Sequence, residues 1–196
     1  MFRMVRALQV PVVFYNYSTE LSSMLVSQLN TQTHLNIAGG FFACELSQAA
    51  ADILLQNDQV DHDLVKNWTG KPVIWADLEM VRDAKLSEEE FLAALLHEEG
   101  HIVHRHMFSD SVEKTVCAAS GSSLISDAYA EMQADAHACL TVDRKVMKNA
   151  LRKCLLTQVR RICGQRGFLS VTWNTFKALM HPHTLQRMKN LGPKGI

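Results

Sequence analysis

The stretch LLHEEGHIVHRH, Leu95 to His106, constrains this chain more than any other. It places four of the nine histidines within ten residues, with two carboxylates between the first two. The residues before it make it the second half of a helix. Ser87 stands three residues before Glu90, the spacing of a capping box. Glu88, Glu89 and Glu90 load the first turn, where the helix dipole favours negative charge. Phe91, Leu92, Leu95, Leu96 and Val103 recur at helical spacing. The pattern predicts a helix from Lys85 to His106 whose histidine face points inward.

Buried imidazoles need partners. His97, Glu98 and His101 spell H-E-x-x-H. Two histidines four apart share one helix face, and both can reach one zinc ion at ~2.0–2.1 Å. Glu98 is turned about 100° from His97, so it lies beside such an ion rather than on it. That suits a general base acting on water at the metal. Gly100 leaves room for a close neighbour. His104 shares the face, but an unbroken helix carries it ~10 Å from His97. His104 and His106 are therefore expected to be packing or surface residues.

A third ligand is sought in EMQADAHACL, Glu131 to Leu140. Glu131 and Asp135 are four apart in an alanine-rich helix, and small residues let two helices approach closely. Glu131 is the candidate that completes a His/His/Glu site. Asp135 is the candidate acceptor for the far nitrogen of a ligating imidazole. The competing reading is a solvated acidic stripe that includes Asp127. Pairing with H-E-x-x-H thirty residues earlier selects the ligand reading.

The remaining chain supports one domain spanning residues 1–196. QVPVVFYNY reads as a strand and Ser18 to Asn30 as a helix. Asn36 to Gly40 reads as a turn, and Phe41 to Gln56 as a further helix. Asn57 to Gly70 reads as polar loop with some helix. KPVIWADLEM contains a short strand. Asp110 to Ser123 reads as irregular, Leu124 to Val142 as a helix, and Asp143 to Cys163 as a basic amphipathic helix. Arg144 to Gly167 holds eight Lys/Arg and no acid. With a net charge of zero, a solvated face is favoured there over nucleic-acid binding. Five scattered cysteines without a Cys-x-x-Cys spacing point to free thiols in a reducing, cytoplasmic setting. No apolar run reaches the ~18 residues of a membrane span, and the N-terminus reads as mature sequence rather than a signal peptide.

Three blocks resemble the HtpX-like gluzincin peptidases, the family that includes the CaaX prenyl endopeptidases. They are Val73 to His106, ending in H-E-x-x-H and Arg-His; EMQADAHA, similar to that family's E-x-x-A-D block; and HPHTLQRM, His181 to Met188, similar to its late His-Pro…Arg block. The resemblance implies that His97, His101 and Glu131 bind Zn2+ and that Glu98 is the base. It implies that Asp135 supports a ligand. It also implies that His181, held at a bend by Pro182, stabilises an oxyanion, with Arg187 nearby holding the loop or sharing that role. It makes 71–192 the catalytic core of the domain and leaves 1–70 without a clear match. It implies that the strand in KPVIWADLEM lies at an exposed sheet edge beside the cleft. There Ile74 or Trp75, according to the face that alternation selects, and the backbone of Ala76 would contact an extended peptide; the competing reading is that both side chains are core. The ImmA/IrrE-type regulatory peptidases, which also pair H-E-x-x-H with a downstream glutamate, are a second resemblance. A zincin-fold binding protein without catalysis is a third reading, which the intact Glu98 disfavours. The expectation is a soluble zinc endopeptidase acting on a protein or peptide. Its fold would be α+β and zincin-like, mostly helical, with the active-site helix packed beneath a small twisted sheet.

Overall fold

A computed structural model of the chain describes residues 3–5, 8–16, 40–106, 123–166 and 187–191. The expected helix at Ser18 to Asn30 and His181 lie outside the described residues, as do nearly all of the Asn36 to Gly40 turn and the Asp110 to Ser123 stretch.

The fold is α+β, with a small mixed sheet. Its strands are β1 (Arg3–Val5), β2 (Val12–Tyr15), β3 (Phe41–Glu45) and β4 (Pro72–Asp77). Their spatial order is β1-β2-β4-β3. β4 runs parallel to β2 and antiparallel to β3. Six helices accompany them: α1 (Gln48–Leu55), α2 (His62–Trp68), α3 (Leu78–Asp83), α4 (Glu88–Val103), α5 (Ser123–Ala138) and α6 (Arg144–Arg166). No helix among the described residues is long and apolar enough to cross a membrane.

Strand alternation sends side chains to two faces. Val13, Tyr15, Cys44, Val73 and Trp75 pack toward α1 and α2, with Ala50, Leu54 and Val65. Val12, Ile74 and Ala76 pack toward α4 and its Leu95. Phe91 of α4 meets Phe14 and Phe41 at ring separations of 6.2 and 5.9 Å, which seats α4 against this second face. Behind α4, Ala93 and Leu96 pack with Ala138, Met147 and Ala150 of α5 and α6.

Two expectations are corrected here. Phe41 to Gln56 is not one helix. FFACE pairs along β4, and α1 starts only after Ser47, whose hydroxyl accepts from Ala50 N–H. Good helix formers downstream made the run look continuous, while aromatic residues on a pleated, half-buried surface favoured the strand. The second correction concerns β4. It is an interior strand, bonded on both sides, and Ile74, Trp75 and Ala76 are fully buried. None of the three can meet a peptide. Among the described residues, the edge near α4 is β3.

The capping box is formed: Ser87 Oγ accepts from Glu90 N–H at 3.2 Å and Glu90 Oε2 accepts from Ser87 N–H at 2.9 Å. Lys153 of α6 adds an ion pair to Glu90 at 2.5 Å. Arg161 reaches the fully buried Asp77 at 2.6 Å and Asp83 at 2.9 Å. Two charges of the basic helix thus reach buried carboxylates, which fixes α6 against the start of α4 and the end of β4.

Candidate metal centre

The H-E-x-x-H half of α4 is buried along its inner face, and α5 crosses it closely at Gly100. A Cβ built there would lie 2.8 Å from Ala134 Cα and 3.0 Å from His137 Cβ. Glycine on one helix and alanine on the other therefore allow the backbones to touch. Glu131 and Asp135 flank Ala134 and face the histidines.

His97 Nε2 lies 3.2 Å from His101 Nε2 and 3.4 Å from Glu131 Oε2, and His101 Nε2 lies 3.5 Å from Glu131 Oε1. Ligand atoms at ~2.0–2.1 Å from a tetrahedral zinc stand about 3.3–3.4 Å apart. The three side chains thus form a potential metal-binding triad, and they are the one such group of His, Cys, Asp or Glu among the described residues. Behind it, Asp135 Oδ1 lies 2.9 Å from His97 Nδ1. That carboxylate sits behind the ring of His97, on the side away from the triad; once His97 is neutral, it favours the proton on Nδ1 and leaves Nε2 for the triad.

Arg187 joins this group. Its Nε and Nη2 donate to the two oxygens of Asp135 at 2.8 Å each, and its Nη1 lies 2.5 Å from Glu131 Oε2. Its Nη2 is 3.5 Å from His97 Nε2. All three donor groups are engaged with carboxylates that face the histidines. These bonds tie Arg187 to Asp135 and Glu131, and the loop it was expected to hold lies outside the described residues.

The electrostatics follow from burial and close pairing. Burial pushes the Glu98 carboxyl up to about 7, although His97 and Arg187 oppose the rise. Burial disfavours a charged His97, but hydrogen bonds to Asp135 and Glu131 and the charge of Glu98 outweigh it, raising His97 to about 9. Burial and the neighbouring His97 lower His101 to about 4. Burial opposes ionisation of Glu131 and Asp135, yet the bond to His97 and the nearby Arg187 charge for Glu131, and the bonds to Arg187 and His97 for Asp135, hold both below the usual carboxylate range.

These shifts give a signed expectation. A metal requires neutral His97, whereas the metal-free protein carries a proton there up to about pH 9. Apparent affinity of the triad for a divalent metal should therefore rise with pH toward about 9, by up to about tenfold per unit through this group, with proton release on binding. Calorimetry in buffers of different ionisation heat measures the release. No proton release at pH 7.5 contradicts the assignment.

Other parts of the site were not legible in the sequence. Glu99 is buried, accepting from Gln9 N–H at 2.9 Å and lying 3.1 Å from His137 Nε2. His137 is thereby committed away from the triad. His104 is exposed, as expected of a surface residue. His106 is not: it is half-buried, and its Nδ1 lies 3.0 Å from His101 Nδ1. The doubled carboxylate of H-E-E-G-H was the available signal for Glu99; His106 had none, because five residues apart is not one helical face.

The chain is an α+β protein with a potential metal-binding triad on two crossing helices. No protein-family model, curated protein or solved structure matches it.

Proposed function

We propose that this chain is a zinc-dependent endopeptidase of zincin-like fold, related to the HtpX-like gluzincins. The observation that carries the reading is the spacing of the His97, His101 and Glu131 donors, which fits one tetrahedral ion with Glu98 adjacent in sequence and buried.

His97, His101 and Glu131 would hold the zinc. When bound, the ion supplies a Lewis acid for the scissile carbonyl and lowers the pKa of water. Glu98 takes the proton of the attacking water and returns it to the leaving amine. Its burial, with a bond from the Ala43 N–H, holds it beside the triad. Asp135 fixes the ring of His97, and Arg187 fixes Asp135 and Glu131 together. His181 is expected to stabilise the oxyanion. The test is metal content. The wild-type chain should hold one zinc, and His97→Ala, His101→Ala and Glu131→Ala should each lose it at neutral pH. Equal zinc in Glu131→Ala and wild type overturns the ligand set.

Substrate docking moves from β4 to β3. The bonds Asp77 N–H to Gly40 O and Leu46 N–H to Lys71 O set the pairing alternation. Residues 40, 42, 44 and 46 therefore face β4, and the backbone of residues 41, 43 and 45 faces away from it, toward the edge that no described strand covers. Ala43 stands on that edge with its N–H turned to Glu98, so an extended peptide added there would pair through other edge groups, the Ala43 C=O among them, and pass the base. N-methylation scanned along a peptide substrate should raise KM at alternate positions. A flat response sinks strand addition.

A further inference from the structure

We propose that Gln133 and His106 are positioning residues that fix the tautomer of His101 and so ready its Nε2 for a metal. The inference rests on the metal-centre reading and adds two residues to it. His101 presents Nε2 to the triad and turns Nδ1 away, toward His106 Nδ1 at 3.0 Å. His106 in turn places Nε2 2.9 Å from Gln133 Oε1.

The direction of this chain follows from donor and acceptor chemistry. A neutral imidazole has one N–H and one lone pair. An amide oxygen only accepts, so His106 must carry its proton on Nε2. Its Nδ1 is then an acceptor and takes the proton of His101 Nδ1–H. His101 is left with a bare Nε2 lone pair, the form a metal requires. If Gln133 presented its NH2 instead, every bond would reverse. His101 would then carry its proton on Nε2, and the triad would be blocked. His97 has a carboxylate behind its ring instead: Asp135, one helical turn beyond Glu131, lies 2.9 Å from its Nδ1. Among the described residues the group behind His101 is the histidine–amide pair, in the place that a carboxylate takes behind His97.

The backbone explains how His106 reaches a residue five positions earlier. Helix α4 ends at Val103, with His104 as its C-cap. Arg105 takes a left-handed conformation, φ 58°, and its N–H bonds to Ile102 O at 3.0 Å. This reversal folds His106 back along the helix end, beside Gln133 of α5. The connection thus joins the two metal-bearing helices through side chains as well as through Gly100.

The test uses the full chain with histidines labelled with 15N, free of metal, and compares wild type with Gln133→Leu, Gln133→Glu and His106→Ala. Long-range 1H–15N correlation should show His101 as the Nδ1–H tautomer and His106 as the Nε2–H tautomer in wild type. Zinc affinity, read by competition with a chelator, should fall about tenfold or more in Gln133→Leu and His106→Ala, the range seen when a ligand's supporting bond is removed. Gln133→Glu has oxygen at both ends and should bind at least as well as wild type. Residue 133 is half-buried on a helix, and leucine favours helix, so a packing role alone would leave Gln133→Leu unaffected. Equal affinity in wild type, Gln133→Leu and His106→Ala overturns the relay while leaving the metal reading intact. An Nε2–H tautomer at His101 in metal-free wild type does the same. No zinc uptake by wild type overturns the metal reading itself.

Discussion

Glu98→Gln should keep one zinc per chain and lose peptide hydrolysis. The residue is not among the triad donors, so its charge is not needed to hold the ion. It is buried, and the amide keeps its shape, so the packing of α4 around it persists. What disappears is the proton acceptor. Loss of a general base typically lowers the rate ~10²–10⁴-fold. The measurement is turnover of an unstructured protein by wild type and variant at matched metal content. Retained turnover in zinc-loaded Glu98→Gln ends the proposed mechanism, whatever the ligand set.

Gly100→Ala should both destabilise the protein and weaken its metal site. On a helix, alanine in place of glycine ordinarily adds about 1 kcal/mol of stability. Here the new methyl would meet Ala134 Cα at 2.8 Å and Ala134 O at 3.1 Å. Both are backbone atoms of the facing helix, so no rotamer change can relieve the contact. Overpacking of this kind costs about 1–3 kcal/mol. The relief must come from moving α5 away from α4, which carries Glu131 and Asp135 away from His97 and His101. The variant should therefore melt lower and bind zinc more weakly together. Ala136 of α5, which is exposed, is the control position: Ala136→Gly should lower stability by helix propensity alone and leave zinc binding unchanged. Unaltered zinc affinity in Gly100→Ala would show that the helix crossing does not set the site.

The sequence alone determined the features that depend on neighbours a few residues away. The capping box, the inward helix face and the His97–Glu98–His101 geometry are all set within one or two turns, where 3.6-residue periodicity is decisive. Gly100 was legible as a close approach, and Glu131 and Asp135 as a pair on one face, because helical spacing and small residues are local signals. Tertiary structure decided everything whose partner is remote in the chain. Whether FFACE became strand or helix depended on β4 being there to pair with it. Whether β4 was an edge depended on which strands lay beside it, and Ile74, Trp75 and Ala76 were buried by that choice. Arg187 reached Asp135 from fifty-two residues away. His106 came to His101 through one left-handed residue, Arg105, a conformation that neither composition nor periodicity announces. Local periodicity names the donors on each helix, but the distances between them are set by how closely two backbones can pack.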